Sequence, residues 1–435
     1  GIDAGFTTGS GVNNAIKGIG LQSDGKLIVG GQFSSYQGVA ANRLMRLAAD
    51  GTRDTNFTIG TGPNGDVTGL VVQSNDKMVI IGGFTTYNGA AASLVARLNL
   101  DGTRDTNFNP NVYNFGANTL AVQSDGKVLL GGLQFFRSDF QISRYGIVRL
   151  NTNGLMETSY NTNNFNGEVH ALAVQPDGNV IAGGRFSFAG RTNIVRLDTN
   201  GVVDPTFNPS FAVRDVFQSV NSLALQPDGK IVLGGLFENV GSVMRTNLAR
   251  LNADGTDDTN FNNINLGGAI AGKVNAVLLQ PNGKIIVGGI FGTVNGLTYN
   301  RLARFDTNGV LDAQFIIGAG ANDEITDLLL QPDGKIWLAG LFTTFDGKPR
   351  VQLARIYGDA PPPAAPLIAS PILSGTSFSC TVSTVVGLTY TLEYKDALSD
   401  SMWSFLPPVA GDGTVKTLID PTSTGSNRFY RVRVD

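Results

Sequence analysis

Along the first 358 positions, apolar residues gather into runs of four to seven separated by polar turns, and the same succession of runs recurs. A unit opens with an apolar run such as Val220 to Gln226 or Val274 to Gln280. It turns at a tripeptide of the Pro227-Asp228-Gly229 kind and continues into a run that ends in glycines, Lys230-Ile231-Val232-Leu233-Gly234-Gly235. A variable loop leads to a third run, Asn247 to Asn252, then to a turn at Asp254-Gly255 and a short segment ending at Phe261. Runs this short, bounded by Asp-Gly and Asn-Gly, read as strands. The glutamine before the first turn recurs at Gln22, Gln73, Gln123, Gln175, Gln226, Gln280 and Gln331, at intervals of 51, 50, 52, 51, 54 and 51 residues. Four strands per unit and seven units predict a seven-bladed β-propeller.

A second pattern predicts how the ring closes. In six units an arginine of the third run is followed eight residues later by an acid: Arg46/Asp54, Arg97/Asp105, Arg149/Glu157, Arg196/Asp204, Arg250/Asp258 and Arg304/Asp312. Three residues beyond the acid stands an aromatic: Phe57, Phe108, Tyr160, Phe207, Phe261 or Phe315. The seventh unit has Arg355 but no fourth run, whereas Asp3-Ala4-Gly5-Phe6 has the same acid-to-aromatic spacing at the other end of the chain. The N-terminus is therefore expected to supply the fourth strand of blade seven, pairing Asp3 with Arg355, so that no sheet edge is left open. Fork geometry makes arginine–carboxylate pairing across a hairpin the natural reading of all seven pairs.

The phrase Gln226 to Gly235, followed by Arg250-Leu251 and Asp258 to Phe261, resembles the delta-60 repeat β-propellers of bacteria, and the resemblance extends over residues 1 to 358. It implies a large secreted or surface protein with no common enzymatic activity. Local departures are Asn75-Asp76 in place of Asp-Gly, Asn179 in place of lysine, and an altered stretch at Gln134 to Phe136.

Beyond the propeller (1–358), residues 359–366 read as a proline-rich, semi-rigid linker. Residues 367–435 contain strand-like alternation at 377–382, 389–394 and 428–434, expected to form a small antiparallel β-sandwich. This module resembles the Ig-like or fibronectin-like domains that end bacterial surface proteins, and Trp403 is expected to anchor its core.

Composition narrows the chemistry. The formal net charge is −3 and no basic run stands out, so a nucleic-acid partner is not expected. No transmembrane span is visible. A single cysteine, Cys380, rules out an intramolecular disulfide, and a single histidine, His170, rules out a multi-histidine metal site. The asparagine-rich turns lack the spaced ligands of an EF-hand, so no metal or cofactor is expected. The chain begins at Gly1 rather than methionine and is read as a processed or excised form whose signal segment is not included.

In the register of the first strands, His170 aligns with Lys17, Thr68, Asn118, Asn221, Asn275 and Thr326. Two residues earlier stand Ala15, Asp66, Gly116, Glu168, Ser219, Lys273 and Glu324. If the first strands line the central channel, both sets meet at one mouth, and Asp66, Glu168, His170, Asn221, Asn275 and Glu324 are the candidate binding residues. Asp66, Glu168, Glu324 and nearby Asp327 are also the candidates for a glycosidase-like acid pair, against the alternative of a solvated polar rim. Tyr36, Tyr87, Phe188, Tyr299 and Phe345 fall in loops where they would either stack on a sugar or pack onto the blade. The leading expectation is a non-catalytic secreted or cell-surface platform for a glycan or protein. The alternatives are a carbohydrate-active hydrolase or lyase and a structural segment of a larger surface protein or fibre.

Overall fold

The computed structural model describes residues 1–434 except 115, 140, 161, 163–164, 210–217, 241–242, 269–271, 359–367, 386–387, 398, 400–401 and 424–427. The chain divides into two compact units, Gly1–Asp359 and Ala360–Asp435. The predicted proline-rich linker 359–366 lies outside the described residues.

In the first unit, seven antiparallel sheets share one construction. Their inner strands are Ile16–Leu21, Val67–Val72, Ala117–Val122, Asn166–Val174, Ser219–Leu225, Lys273–Leu279 and Ile325–Leu330. Each inner strand packs on the next, and Ile325–Leu330 returns to Ile16–Leu21, so the circuit is closed at its centre. The middle strand of each sheet ends in small residues because the following blade and the blade's own inner strand crowd it. A Cβ on Gly30 would meet Val67 of the following blade at 2.7 Å, and one on Gly31 would meet the Ala15 carbonyl at 2.2 Å. The core lies between blades: Phe6, Ile16, Val29 and Phe33 pack with Trp337, Ala339 and Leu353 of the seventh blade.

The fourth run of each blade is not a strand. It meets the third strand by one bridge only, Leu47 with Arg53, Leu98 with Arg104, Leu150 with Met156, Leu197 with Val203, Leu251 with Asp257 and Phe305 with Leu311. The reason is local. The acid that follows accepts a hydrogen bond from the backbone two residues on, as Asp54 does from Asn56 at 2.9 Å and Asp105 from Asn107 at 3.0 Å. Such an Asx turn curls the chain before a ladder can extend. In the seventh blade, Ile2 bridges Ile356, Asp3 N–H donates to the Arg355 carbonyl at 2.8 Å, and Asp3 accepts from Gly5 N–H at 2.8 Å.

The altered stretch Gln134 to Phe136 lies in an elongated middle strand, Val128–Arg137, which also pairs with Val112–Asn114. At Asn75-Asp76 the turn survives because Asp76 takes φ +61°, where the other turns place glycine, and its carboxylate receives the Ser23 N–H of the preceding blade at 2.8 Å.

The second unit contains two antiparallel sheets. Ile368–Ser374, Ser377–Ser383 and Val415–Asp420 form one, and Thr389–Lys395 joins Phe429–Val434 and two short strands in the other. One cluster unites them: Cys380, Val382, Tyr390, Leu392 and Leu418 are buried, with Phe378 stacked on Tyr430 at 3.8 Å. Trp403 does not anchor this core. It stays half-exposed, 5.1 Å from the Lys395 ammonium and 4.3 Å from the Arg431 guanidinium, because two cations on its face keep it at the surface.

Candidate functional site

Every inner strand carries a β-bulge, and in every blade it falls on the same position: Lys17, Thr68, Asn118, His170, Asn221, Asn275 or Thr326. A bulge takes one residue out of the ladder and re-aims its side chain. All seven side chains line one cavity of about 280 Å³ at the centre of the ring, together with the residues just after each bulge.

Five of the seven spend a donor on the next blade. Thr68 Oγ1 donates to the Ala117 carbonyl at 3.1 Å, Asn118 Nδ2 to Val169 at 3.4 Å, and Asn221 Nδ2 to Val274 at 3.3 Å. Asn275 Nδ2 reaches Ile325 at 2.9 Å, and Thr326 Oγ1 reaches Ile16 at 3.4 Å across the seam between the last blade and the first. His170 meets the Asn221 amide oxygen instead, at 3.3 Å through Nδ1. Lys17 has no hydrogen-bond or ion-pair partner among the described residues.

The position after each bulge holds Gly18, Gly69, Thr119, Ala171, Ser222, Ala276 or Asp327. It is small because neighbouring inner strands nearly touch: a Cβ on Gly18 would lie 3.3 Å from the Leu70 nitrogen. Asp327 is the departure. Burial pushes its carboxyl up to about 6, although it accepts from Ile19 N–H at 3.1 Å and from Leu328 N–H at 2.8 Å.

The predicted rim carboxylates do not line the cavity and are each engaged by neighbours. Asp66 accepts from Gln32 at 2.8 Å and lies 3.4 Å from Arg43. Glu168 lies 3.1 Å from His170 Nε2 and 3.5 Å from Arg185, and Glu324 accepts from Asn275 at 2.7 Å. Asp327, one layer deeper, is the carboxyl that burial has made weakly acidic, and its register, one residue past the bulge, sets it apart from the rim set. The loop aromatics Tyr36, Tyr87, Phe188 and Phe345 are buried in the blades, with the Tyr36 and Tyr87 hydroxyls donating to the Gly51 and Gly102 carbonyls at 2.7 and 2.6 Å. Tyr299 packs partly buried against two core clusters. A second cavity, of about 350 Å³, opens between blades two and three against Phe84, Leu94 and Tyr113.

On the outer side of the ring the seven arginines hold the blades together. The Nε–carboxylate distances are 2.9 Å for Arg46–Asp54, 2.7 Å for Arg97–Asp105, 2.6 Å for Arg149–Glu157 and 2.7 Å for Arg196–Asp204. They are 2.8 Å for Arg250–Asp258, 3.0 Å for Arg304–Asp312 and 2.7 Å for Arg355–Asp3. Each guanidinium also lies over the aromatic of its motif. Several donate to a following blade as well: Arg46 to the Leu100 carbonyl, Arg149 to Thr199 and Arg355 to Ala49, all at 2.6 Å.

The lysine of the turn motif has a task that the sequence reading missed. Lys77, Lys230 and Lys284 reach the same carboxylates as the arginines, at 2.8, 3.0 and 3.0 Å. Burial works against Asp105, yet Lys77 and Arg97 together hold its carboxyl at about 2. In the fourth blade Asn179 bonds instead to Asp177, leaving Asp204 with Arg196 and Thr206. Asn179→Lys should therefore add about 0.2–1 kcal/mol of stability at low salt and less at high salt; denaturant titration at two ionic strengths measures it, and equal gain at both would contradict the ion-pair explanation.

Seven segments of the chain, 22–57, 73–108, 123–160, 175–207, 226–261, 280–315 and 331–357, match the family model described as "Domain of unknown function (DUF5122) beta-propeller". Together they make up more than half of the sequence. No curated protein matches the chain. Among solved structures, it is similar to PorZ, described as an essential bacterial surface component of the type-IX secretion system of Porphyromonas gingivalis, with 11% identity and a TM-score of 0.44. That likeness covers 96% of this chain and 59% of PorZ, so the chain spans less than two thirds of that protein's length.

Proposed function

Since the chain belongs to the DUF5122 β-propeller family, we propose that it is a non-catalytic binding platform at the bacterial surface or outside the cell, with the propeller as its rigid recognition unit. The observation that carries this reading is how the polar side chains at the channel mouth are used. Five of the seven bulge residues donate to the next blade's backbone, and each rim carboxylate is engaged by a neighbouring side chain. Such a belt stiffens the ring and leaves shape and hydrogen bonding at the mouth, rather than a separated acid and base, to meet a partner. The delta-60 character of the repeats and an Ig-like or fibronectin-like identity for residues 367–435 belong to the same proposal. So does closure of the ring by residues 1–6. The placement outside the cytoplasm rests on the resemblance of these repeats and of the terminal module to parts of bacterial surface proteins, an argument by analogy.

The test is a binding screen of the intact chain against a broad panel of glycans and of envelope proteins, with turnover followed for every hit. Saturable binding without turnover is the expected result. Hydrolysis or elimination of a bound glycan would replace the platform by the enzyme reading, with Asp327 the first residue to examine.

A further inference from the structure

The central cavity has a division of labour that its sevenfold construction does not require. Four of the five bulge residues that donate to the next blade keep an oxygen with acceptor capacity at the cavity; the fifth, Asn221, has its amide oxygen taken by Ser219 and His170. Asn118 and Asn275 donate through Nδ2, and Thr68 and Thr326 through Oγ1, which keeps its lone pairs. The cavity therefore presents a girdle of acceptors. Lys17 interrupts it. It stands at the same bulge, lines the same cavity and is half-buried, yet its ammonium has no partner among the described residues. Lys273, at the rim position of the sixth blade, is likewise without one. A half-buried lysine ammonium with an open side is matched by a carboxylate, while a ring of acceptors is matched by a molecule that carries hydroxyl donors around its edge. The volume of about 280 Å³ falls just below the range of drug-sized sites, room for a single small ring with some water.

We infer that the channel mouth binds one acidic monosaccharide unit, its carboxylate on Lys17 and its hydroxyls on the oxygens of Thr68, Asn118, Asn275 and Thr326. The unit is either a free uronic acid or the terminal residue of an acidic glycan, and the two share this chemistry. The inference deepens the platform reading and rests on it only in treating the propeller as a binding module.

Calorimetry on the intact chain with glucuronate, glucose and a glucuronate-terminated oligosaccharide tests it. The expected result is that glucuronate binds at least about tenfold more tightly than glucose, a difference of about 1.4 kcal/mol. Lys17→Met should abolish that preference without lowering the melting temperature, because the ammonium has no partner among the described residues. Lys17→Arg should keep it. Binding of the free acid identifies the soluble sugar as ligand, and binding of the oligosaccharide alone identifies a glycan end. Equal binding of glucose and glucuronate, no binding of any of the three, or a preference that survives Lys17→Met overturns the proposal. If the wider screen then finds a partner insensitive to Lys17→Met, the platform reading stands and the channel site alone falls.

Discussion

Removal of residues 1–6 should lower the melting temperature of the propeller by on the order of 10 °C or more, or abolish its cooperative transition. The segment is small, but what it touches is buried. Phe6 is fully buried, edge-on to Trp337 with ring centroids 4.5 Å apart, and its loss compares with a core Phe→Ala change of about 3–5 kcal/mol. Asp3 is equally inaccessible and takes Arg355 at 2.7 Å, Tyr357 hydroxyl at 3.1 Å and Lys335 at 3.5 Å. Without it, Arg355 is left buried with no carboxylate, a defect of about 3–5 kcal/mol. Together these approach the whole stability of a typical domain. The informative control is the double variant Asp54→Ala/Phe57→Ala, which makes the equivalent lesion in the first blade while the chain still runs through it. Closure by the N-terminus predicts that the deletion is the more damaging of the two; an unchanged melting temperature would sink it. The charge component has a definite sign. Burial opposes ionisation of Asp3, but the Gly5 N–H, Arg355 and Tyr357 hold its carboxyl below the ordinary value of 3.8, so its contribution is present above that pH and lost as acid titrates it.

The equivalence of Asp3-to-Phe6 with the six internal acid-to-aromatic segments was legible because the pairing is written in fixed spacing: arginine, acid at eight, aromatic at eleven. Spacing records local hairpin geometry, and the hairpins recur. The register of the inner strands was legible for the same reason, and it brought Lys17, Thr68, Asn118, His170, Asn221, Asn275 and Thr326 to one cavity. What periodicity does not encode is which neighbour a side chain faces. The bulge cannot be read from Val220-Asn221-Ser222, since an alternating strand would look the same. Asp66, Glu168 and Glu324, considered with Asp327 for an acid pair, have Gln32, Arg43, His170, Arg185 and Asn275 beside them, three of these five from outside the aligned set of first-strand positions. Tyr36 and Tyr87 looked available in their loops, but each hydroxyl finds a carbonyl fifteen residues on and the ring goes in with it. Trp403 shows the converse, a large aromatic that two basic neighbours retain at the surface.

Asp327→Ser should make the protein more stable at pH 8 by about 1–3 kcal/mol and leave it unchanged near pH 4. The sign follows from burial. Asp327 has its carboxyl raised to about 6 in the folded chain against 3.8 when solvated, so the folded state holds the proton more tightly between those values. Its favourable contribution is complete below the lower value and lost as pH rises through 6; above that the fold carries an ionised carboxylate in a poorly solvated place. Serine is the right replacement because the ring already contains it. Ser222 occupies the same post-bulge position two blades earlier, and its hydroxyl accepts the Val277 N–H at 3.0 Å, as Asp327 accepts the Ile19 N–H at 3.1 Å. The substitution therefore keeps the bond across the seam between the last and first blades and fits a position that is otherwise small, while removing the charge and the second oxygen that accepts from Leu328 N–H. Denaturant titrations of parent and variant at pH 4, 6 and 8 decide it. A variant less stable at pH 8, or a difference independent of pH, would show that the carboxylate is comfortably solvated by the channel. The expected pH-dependent gain would mean that the ring keeps a charged group at a cost to its own stability, at the wall of the cavity where Lys17 stands without a partner.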